Sequence, residues 1–125
     1  MNKIIVDTSV FIDYFRRIDK EQSLLIQLAK QEADIVTSIL THTELYSGKS
    51  VWERKQVKAD IDKLFVHIEL IYVNKTISLK AGELRAKSDL DLVDAIIAST
   101  AILNDFTVAT LNIKDFNKVA GLKLY

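Results

Sequence analysis

The run Ile4-Ile5-Val6-Asp7-Thr8-Ser9 constrains this chain more than any other stretch. Consecutive apolar, β-branched residues predict a short strand buried on both faces, as in the middle of a parallel sheet. Asp7 falls where that strand ends, and in an open parallel sheet ligands bind at the carboxyl ends of the strands. A carboxylate at the edge of an apolar layer must be solvated, capped or bound to a cation.

A length of 125 residues suits one core, so residues 1–125 are expected to form a single domain. Apolar residues make up 49% of the chain, which excludes a disordered class. No apolar run approaches the roughly 20 residues a membrane span needs, so no membrane partner is expected. Met1-Asn2-Lys3 leads straight into the first strand, which leaves no room for a signal peptide and points to a cytoplasmic location. With no cysteine there is neither a disulfide framework nor a thiolate metal site. Lys+Arg and Asp+Glu both total 17, which argues against a basic coat for bulk nucleic-acid binding but permits a local basic rim. With no proline, helix stops must come from glycine, caps and polar turns.

Past Asp7, the spacing of Phe11, Tyr14, Phe15 and Ile18 predicts a helix, with Thr8 or Ser9 as its cap. A polar turn at 19–23 precedes a second helix over 24–32. Ile35-Val36-Thr37-Ser38 predicts strand two, and a helix over 39–47 carries Glu44 and stops at Gly48. Residues 51–68 read as one amphipathic helix. Leu70–Val73 predicts strand three, followed by a helix to Lys87 and a polar break at 88–91. A strongly apolar helix over 92–103, strand four at 107–110 and a short last strand at 122–125 complete the chain. Strands alternating with helices imply a three-layer α/β/α sandwich around a mostly parallel sheet of four or five strands.

That topology has a consequence for the acids. Helices joining parallel strands run antiparallel to them, so each begins at the carboxyl edge of the sheet. Asp7 ends strand one at that edge, and Glu44 lies early in the helix after strand two. Asp91 and Asp94 open the helix before strand four, while Asn112 and Asp115 follow that strand. All are therefore expected in one crevice. Clustered carboxylates raise each other's pKa and destabilise a fold unless a hard cation such as Mg²⁺ or Mn²⁺ neutralises them. Such an ion lowers the pKa of water and stabilises charge on a phosphodiester. No histidine falls at these positions, which disfavours zinc. His42 and His67 are expected to be structural or exposed, and Trp52 and Phe65 to be core or dimer contacts.

The segments Val6–Asp13, Thr43–Gly48, Asp94–Ala98 and Thr110–Phe116 together resemble the PIN-domain family, and more narrowly the VapC-type toxins of bacterial and archaeal toxin–antitoxin pairs. Each motif alone is weak; four in order along nearly the whole chain are fairly specific. The resemblance implies a Mg²⁺- or Mn²⁺-dependent endoribonuclease with Asp7, Glu44 and Asp94 as its acidic site. Asp7 and Asp94 would hold the metal, and Glu44 would hold it through water or help activate the attacking water. The family's fourth acidic position falls on Asn112, with Asp115 just beyond, which leaves one charge fewer for a second metal. Ser9 is divided between capping and orienting Asp7, and Asp91 between helix capping and the site. Hydrolysis of this type leaves a 5′-phosphate and a 3′-hydroxyl, with single-stranded loops of RNA as substrates. The resemblance also implies a cognate antitoxin and a homodimer, with positions around Phe11, Tyr14, Phe15 and Leu25 as an exposed surface for an amphipathic antitoxin segment.

Competing readings are weaker. An Asp-x-Asp phosphatase needs a second acid where Ser9 stands, and a receiver domain needs an Asp after strand three, where Val73 and Asn74 stand. A non-catalytic nucleic-acid-binding module of the same fold would be expected to lack one of Asp7, Glu44 or Asp94.

Overall fold

The computed structural model describes residues 3–125. Five parallel strands form its centre: β1 (Ile4–Val6), β2 (Ile35–Ser38), β3 (Glu69–Ile71), β4 (Thr107–Ala109) and β5 (Lys123–Leu124), in the spatial order β3-β2-β1-β4-β5. The chain winds outward from β1 through β2 to β3, then returns to the other side of β1 for β4 and β5. This reversal opens a crevice between the carboxyl ends of β1 and β4. The register pairs Ile5 with Val108 and Val6 with Ala109, so the residues that follow, Asp7 and Thr110, emerge side by side.

Helices cover both faces, as the strand–helix alternation predicts. They are α1 (Thr8–Arg16), α2 (Leu24–Lys30), α3 (Ile39–Leu45), α4 (Lys49–Glu53), α5 (Lys55–Phe65), α6 (Lys75–Lys87), α7 (Leu92–Asn104) and α8 (Ile113–Phe116). Strand side chains alternate between the layers. Ile5, Val36 and Val108 pack with α6 and α7 in one apolar cluster, while Val6 and Ala109 pack with Val10, Phe11, Leu25 and Leu28 in the other. The small residues Ala95, Ala98 and Ala101 are fully buried or nearly so, which lets α7 approach the sheet closely.

The structure corrects several expectations. Asp7, rather than Thr8 or Ser9, caps α1, accepting a bond from the Val10 amide at 3.4 Å. The single helix expected over 51–68 is two helices, broken at Arg54, whose backbone is extended (φ −120°, ψ 110°). Val51 and Ile61 are both buried and line one groove across that break. Gly48 does not stop α3: with φ −74° it sits at the start of α4, and Tyr46 ends α3. Phe11 and Leu25 are core residues at 0% and 3% exposure rather than exposed positions; Tyr14 and Phe15 line surface grooves, and Leu25 lies at the floor of one. Trp52 is not in the core. Among the described residues no helix is long and apolar enough to cross a membrane.

Candidate active site

Asp7 anchors the crevice. Its side chain is almost wholly buried, yet it is well supplied with donors. Ser9 Oγ donates to Oδ1 at 2.6 Å, and Thr110 Oγ1 donates to Oδ2 at 2.6 Å across 103 positions of sequence. Burial pushes the Asp7 pKa up, and the bonds from Ser9, Thr110 and the Val10 and Ser9 amides hold it back. Asp7 is thus both helix cap and buried carboxylate; the capping and site readings do not exclude each other. The supporting groups are themselves fixed. Ser9 Oγ accepts from the Leu111 amide at 3.1 Å, and Thr110 Oγ1 accepts from the Asn112 amide at 2.8 Å. The loop after β4 is thereby tied to the loop after β1.

Glu44 is exposed on α3 and faces the same crevice. Thr8 Oγ1 donates to its Oε1 at 2.5 Å, and Thr8 lies 3.2 Å from the buried hydroxyl of Thr41. Ser38, at the carboxyl end of β2, caps α3 through the Leu40 amide and so sets where that helix starts.

Asp94 lies in the first turn of α7 and is half-buried. Its pKa is pushed up to about 6, first by burial and then by the charges of Asp7, Asp91, Asp115 and Glu44. Asp7, Glu44 and Asp115, each from a different stretch of the sequence, therefore act on Asp94 here, as the topology argument requires. In contrast to Asp7, Asp94 has no hydrogen-bond donor among the described residues, and every cause of its shift is burial or like charge.

Asn112 Nδ2 donates to Asp115 Oδ2 at 2.6 Å, which lowers the Asp115 pKa, helped by Lys118 at 3.4 Å. Asn112 thus serves Asp115 and keeps its charge. Asp91 stands at the cap position of α7 but makes no side-chain capping bond. Of the basic side chains near the crevice and α1, Arg16 shares a groove of about 340 Å³ with Glu44. Lys20 is instead committed to the backbone carbonyls of Tyr14, Phe15 and Arg17.

Sequence reasoning placed Thr110 in strand four and in a family motif but not in the site. A hydroxyl at the carboxyl end of a buried strand was the available signal; what it lacked was the knowledge that β4 lies next to β1.

The donor set suits a hard cation. It consists of oxygen atoms, with one well-supported carboxylate and a second that no group among the described residues neutralises. Among the described residues no three acidic or imidazole groups stand in ready ligating geometry. Mg²⁺ and Mn²⁺ take oxygen ligands from one or two carboxylates and keep several waters.

A sequence model of the PIN domain matches residues 4–122. The chain belongs to the PIN domain family. It is similar to ribonuclease VapC1 of Methanocaldococcus jannaschii, with 30% identity covering 99% of this chain and 88% of that protein. It also resembles VapBC2 of Rickettsia felis, solved bound to a DNA fragment from its promoter, with 25% identity, a TM-score of 0.79 and coverage of 98% and 96% of the two chains. DNA-bound VapBC of Salmonella typhimurium shares the PIN fold at a TM-score of 0.82 and 17% identity, with coverage of 100% and 98%. The PIN and VapC resemblance carried by the four motifs, and the α/β/α architecture it implies, are both borne out.

Proposed function

We propose that this chain is the toxin of a VapBC-type pair, a cytosolic endoribonuclease that depends on Mg²⁺ or Mn²⁺ and is held in check by a cognate antitoxin. One observation carries the metal-dependent reading. Asp94 is half-buried, receives no donor and faces the charges of Asp7, Asp91, Asp115 and Glu44. Repelling carboxylates gathered in a crevice are a mark of a functional site, and a divalent cation is the simplest partner for them. The names of the relatives, ribonucleases and VapBC complexes, support the substrate and the partner.

Asp7 and Asp94 would hold the ion, with Glu44 reaching it through water. A divalent ion bound there supplies charge stabilisation on the attacked phosphodiester and a lowered pKa for water. The protein contributes position. Ser9 and Thr110 fix both Asp7 oxygens, Thr8 holds Glu44 toward the crevice, and Asn112 keeps Asp115 ionised beside it. Glu44, exposed on α3, would accept a proton from the attacking water. Arg16, which lines a groove with Glu44, would meet a phosphate of the strand. A homodimer is part of the same reading.

The test is cleavage of a single-stranded RNA by wild type and Asp7→Asn, in Mg²⁺, Mn²⁺ and chelator. Expected are products with 5′-phosphate and 3′-hydroxyl ends, and loss of activity in the variant and in chelator. Equal cleavage in chelator would remove the metal. A wild type inert on RNA in both metals would remove the nuclease.

A further inference from the structure

Trp52 is the single tryptophan of the chain, and it belongs to neither apolar cluster. It is 66% exposed. Yet it is held in place: its Nε1–H donates to the Tyr46 carbonyl at 2.7 Å, which occupies the ring's one polar atom. What remains is an apolar π surface presented to solvent. The support beneath is tightly built. Tyr46 Oη donates to Asp62 Oδ1 at 2.6 Å, Lys58 donates to Asp62 Oδ2 at 2.9 Å, and His42 packs on Tyr46 with ring centroids 4.6 Å apart. The Lys58 ammonium lies 5.9 Å from the Trp52 ring centre. Together with Thr43 and Ser47 these groups line an open depression of about 530 Å³.

This depression begins next to the candidate active site. Thr43, on its wall, immediately precedes Glu44 on α3. Thr43 and Glu44 are consecutive on one short helix, so the depression and the candidate site lie on neighbouring faces of α3.

We propose that Trp52 is a stacking platform for a nucleobase of single-stranded RNA, positioning the strand that the carboxylates cut. The inference rests on the ribonuclease reading. Two features favour RNA over a protein partner. The polar edge of the indole is already satisfied, so only a face is offered, and every base has a face that stacks on it. The depression also lies on the helix that carries Glu44, with Thr43 on its wall.

The test measures both binding and cleavage. Asp7→Asn protein, which is expected to bind without cutting, is titrated with a single-stranded oligoribonucleotide while the fluorescence of Trp52 is followed. Saturable quenching is expected. Trp52→Ala should weaken binding of a labelled oligoribonucleotide roughly tenfold, and Trp52→Phe should restore most of it. In the Asp7-intact protein, Trp52→Ala should raise KM by a similar factor and leave kcat near wild type. A strand abasic at the stacked position should be bound equally by wild type and Trp52→Ala, a result a merely structural role for Trp52 would not produce. Unquenched Trp52 with RNA bound, or an unchanged KM in Trp52→Ala, overturns the platform while the nuclease reading stands. Altered oligomeric state in Trp52→Ala with unchanged RNA affinity overturns it in favour of a protein contact. RNA left uncut by wild type in either metal removes the nuclease reading, and the platform falls with it.

Discussion

Thr110 Oγ1 donates to Asp7 Oδ2 at 2.6 Å, joining the carboxyl ends of β4 and β1 at the point where the winding of the sheet reverses. The same oxygen accepts from the Asn112 amide, so one hydroxyl serves a buried acid and the loop that carries Asn112 and Asp115. Replacing it should cost more than a surface hydroxyl does. Thr110→Val keeps the shape and leaves a buried carboxylate oxygen and a backbone N–H short of a partner, for a loss of about 1–3 kcal/mol. Thr110→Ser should recover most of that. Urea unfolding of the three proteins compares them directly; equal midpoints for Val and wild type would contradict the structural weight placed on this bond.

Asp94 links stability and pH. Its folded pKa of about 6 lies above the usual carboxylate value, so the folded state binds the proton more tightly than the unfolded chain does. This contribution is therefore fully present at low pH and lost as the pH rises from about 4 to about 6. Asp94→Asn removes the charge and keeps the shape. In chelator at pH 7 the variant should be the more stable by about 1 kcal/mol, a figure discounted because the group is half-exposed. The difference should shrink toward zero below pH 4. Activity should be lost in the same variant, an exchange of function for stability. Unfolding midpoints of both proteins across that pH range read the sign.

Thr8 offers a test of Glu44 that leaves the acid in place. Its hydroxyl is the donor at 2.5 Å from Glu44 Oε1. Thr8→Val frees an exposed glutamate and also leaves the buried Thr41 hydroxyl without its partner at 3.2 Å, so stability should fall by about 1–3 kcal/mol. Cleavage should fall roughly tenfold, the lower end of what losing a partner behind a ligating group costs. Unchanged kcat and KM would remove Glu44 positioning from the mechanism.

Ser99, in the middle of α7, is fully buried, and its Oγ has no hydrogen-bond partner among the described residues. Burying an unpaired hydroxyl is unfavourable, and alanine is the better helix former. Ser99→Ala should therefore be neutral or stabilising by about 0.5–1 kcal/mol, with cleavage unchanged, by thermal melting and an RNA assay. A clear loss of stability would mean that the hydroxyl has a partner, such as a buried water.

Much of the architecture could be read along the chain, because strands and helices are written in neighbours two, three and four positions apart. Ile4-Ile5-Val6 announced a buried strand, and the apolar residues of 92–103 announced the helix that packs on it. Even the convergence of Asp7, Glu44, Asp94 and Asp115 on one edge followed from the rule that connecting helices start where strands end. The errors arose where a local pattern has more than one three-dimensional solution. Phe11 and Leu25 lie on helical stripes that suit either a core or a docking face, and packing put both inside. Residues 51–68 satisfy one long amphipathic helix, yet two helices broken at Arg54 turn both Val51 and Ile61 inward.

What the amino-acid sequence determined by itself is the set of elements and the edge to which each acid belongs. What only the tertiary structure decided is which strands are neighbours, and with that, which groups touch. The placement of β4 beside β1 depends on how two helical layers fill the faces of the sheet, a balance of packing over residues about a hundred positions apart. That placement supplies Thr110 to Asp7 and leaves Asp94 without a donor, so the difference between the two carboxylates is a property of the fold.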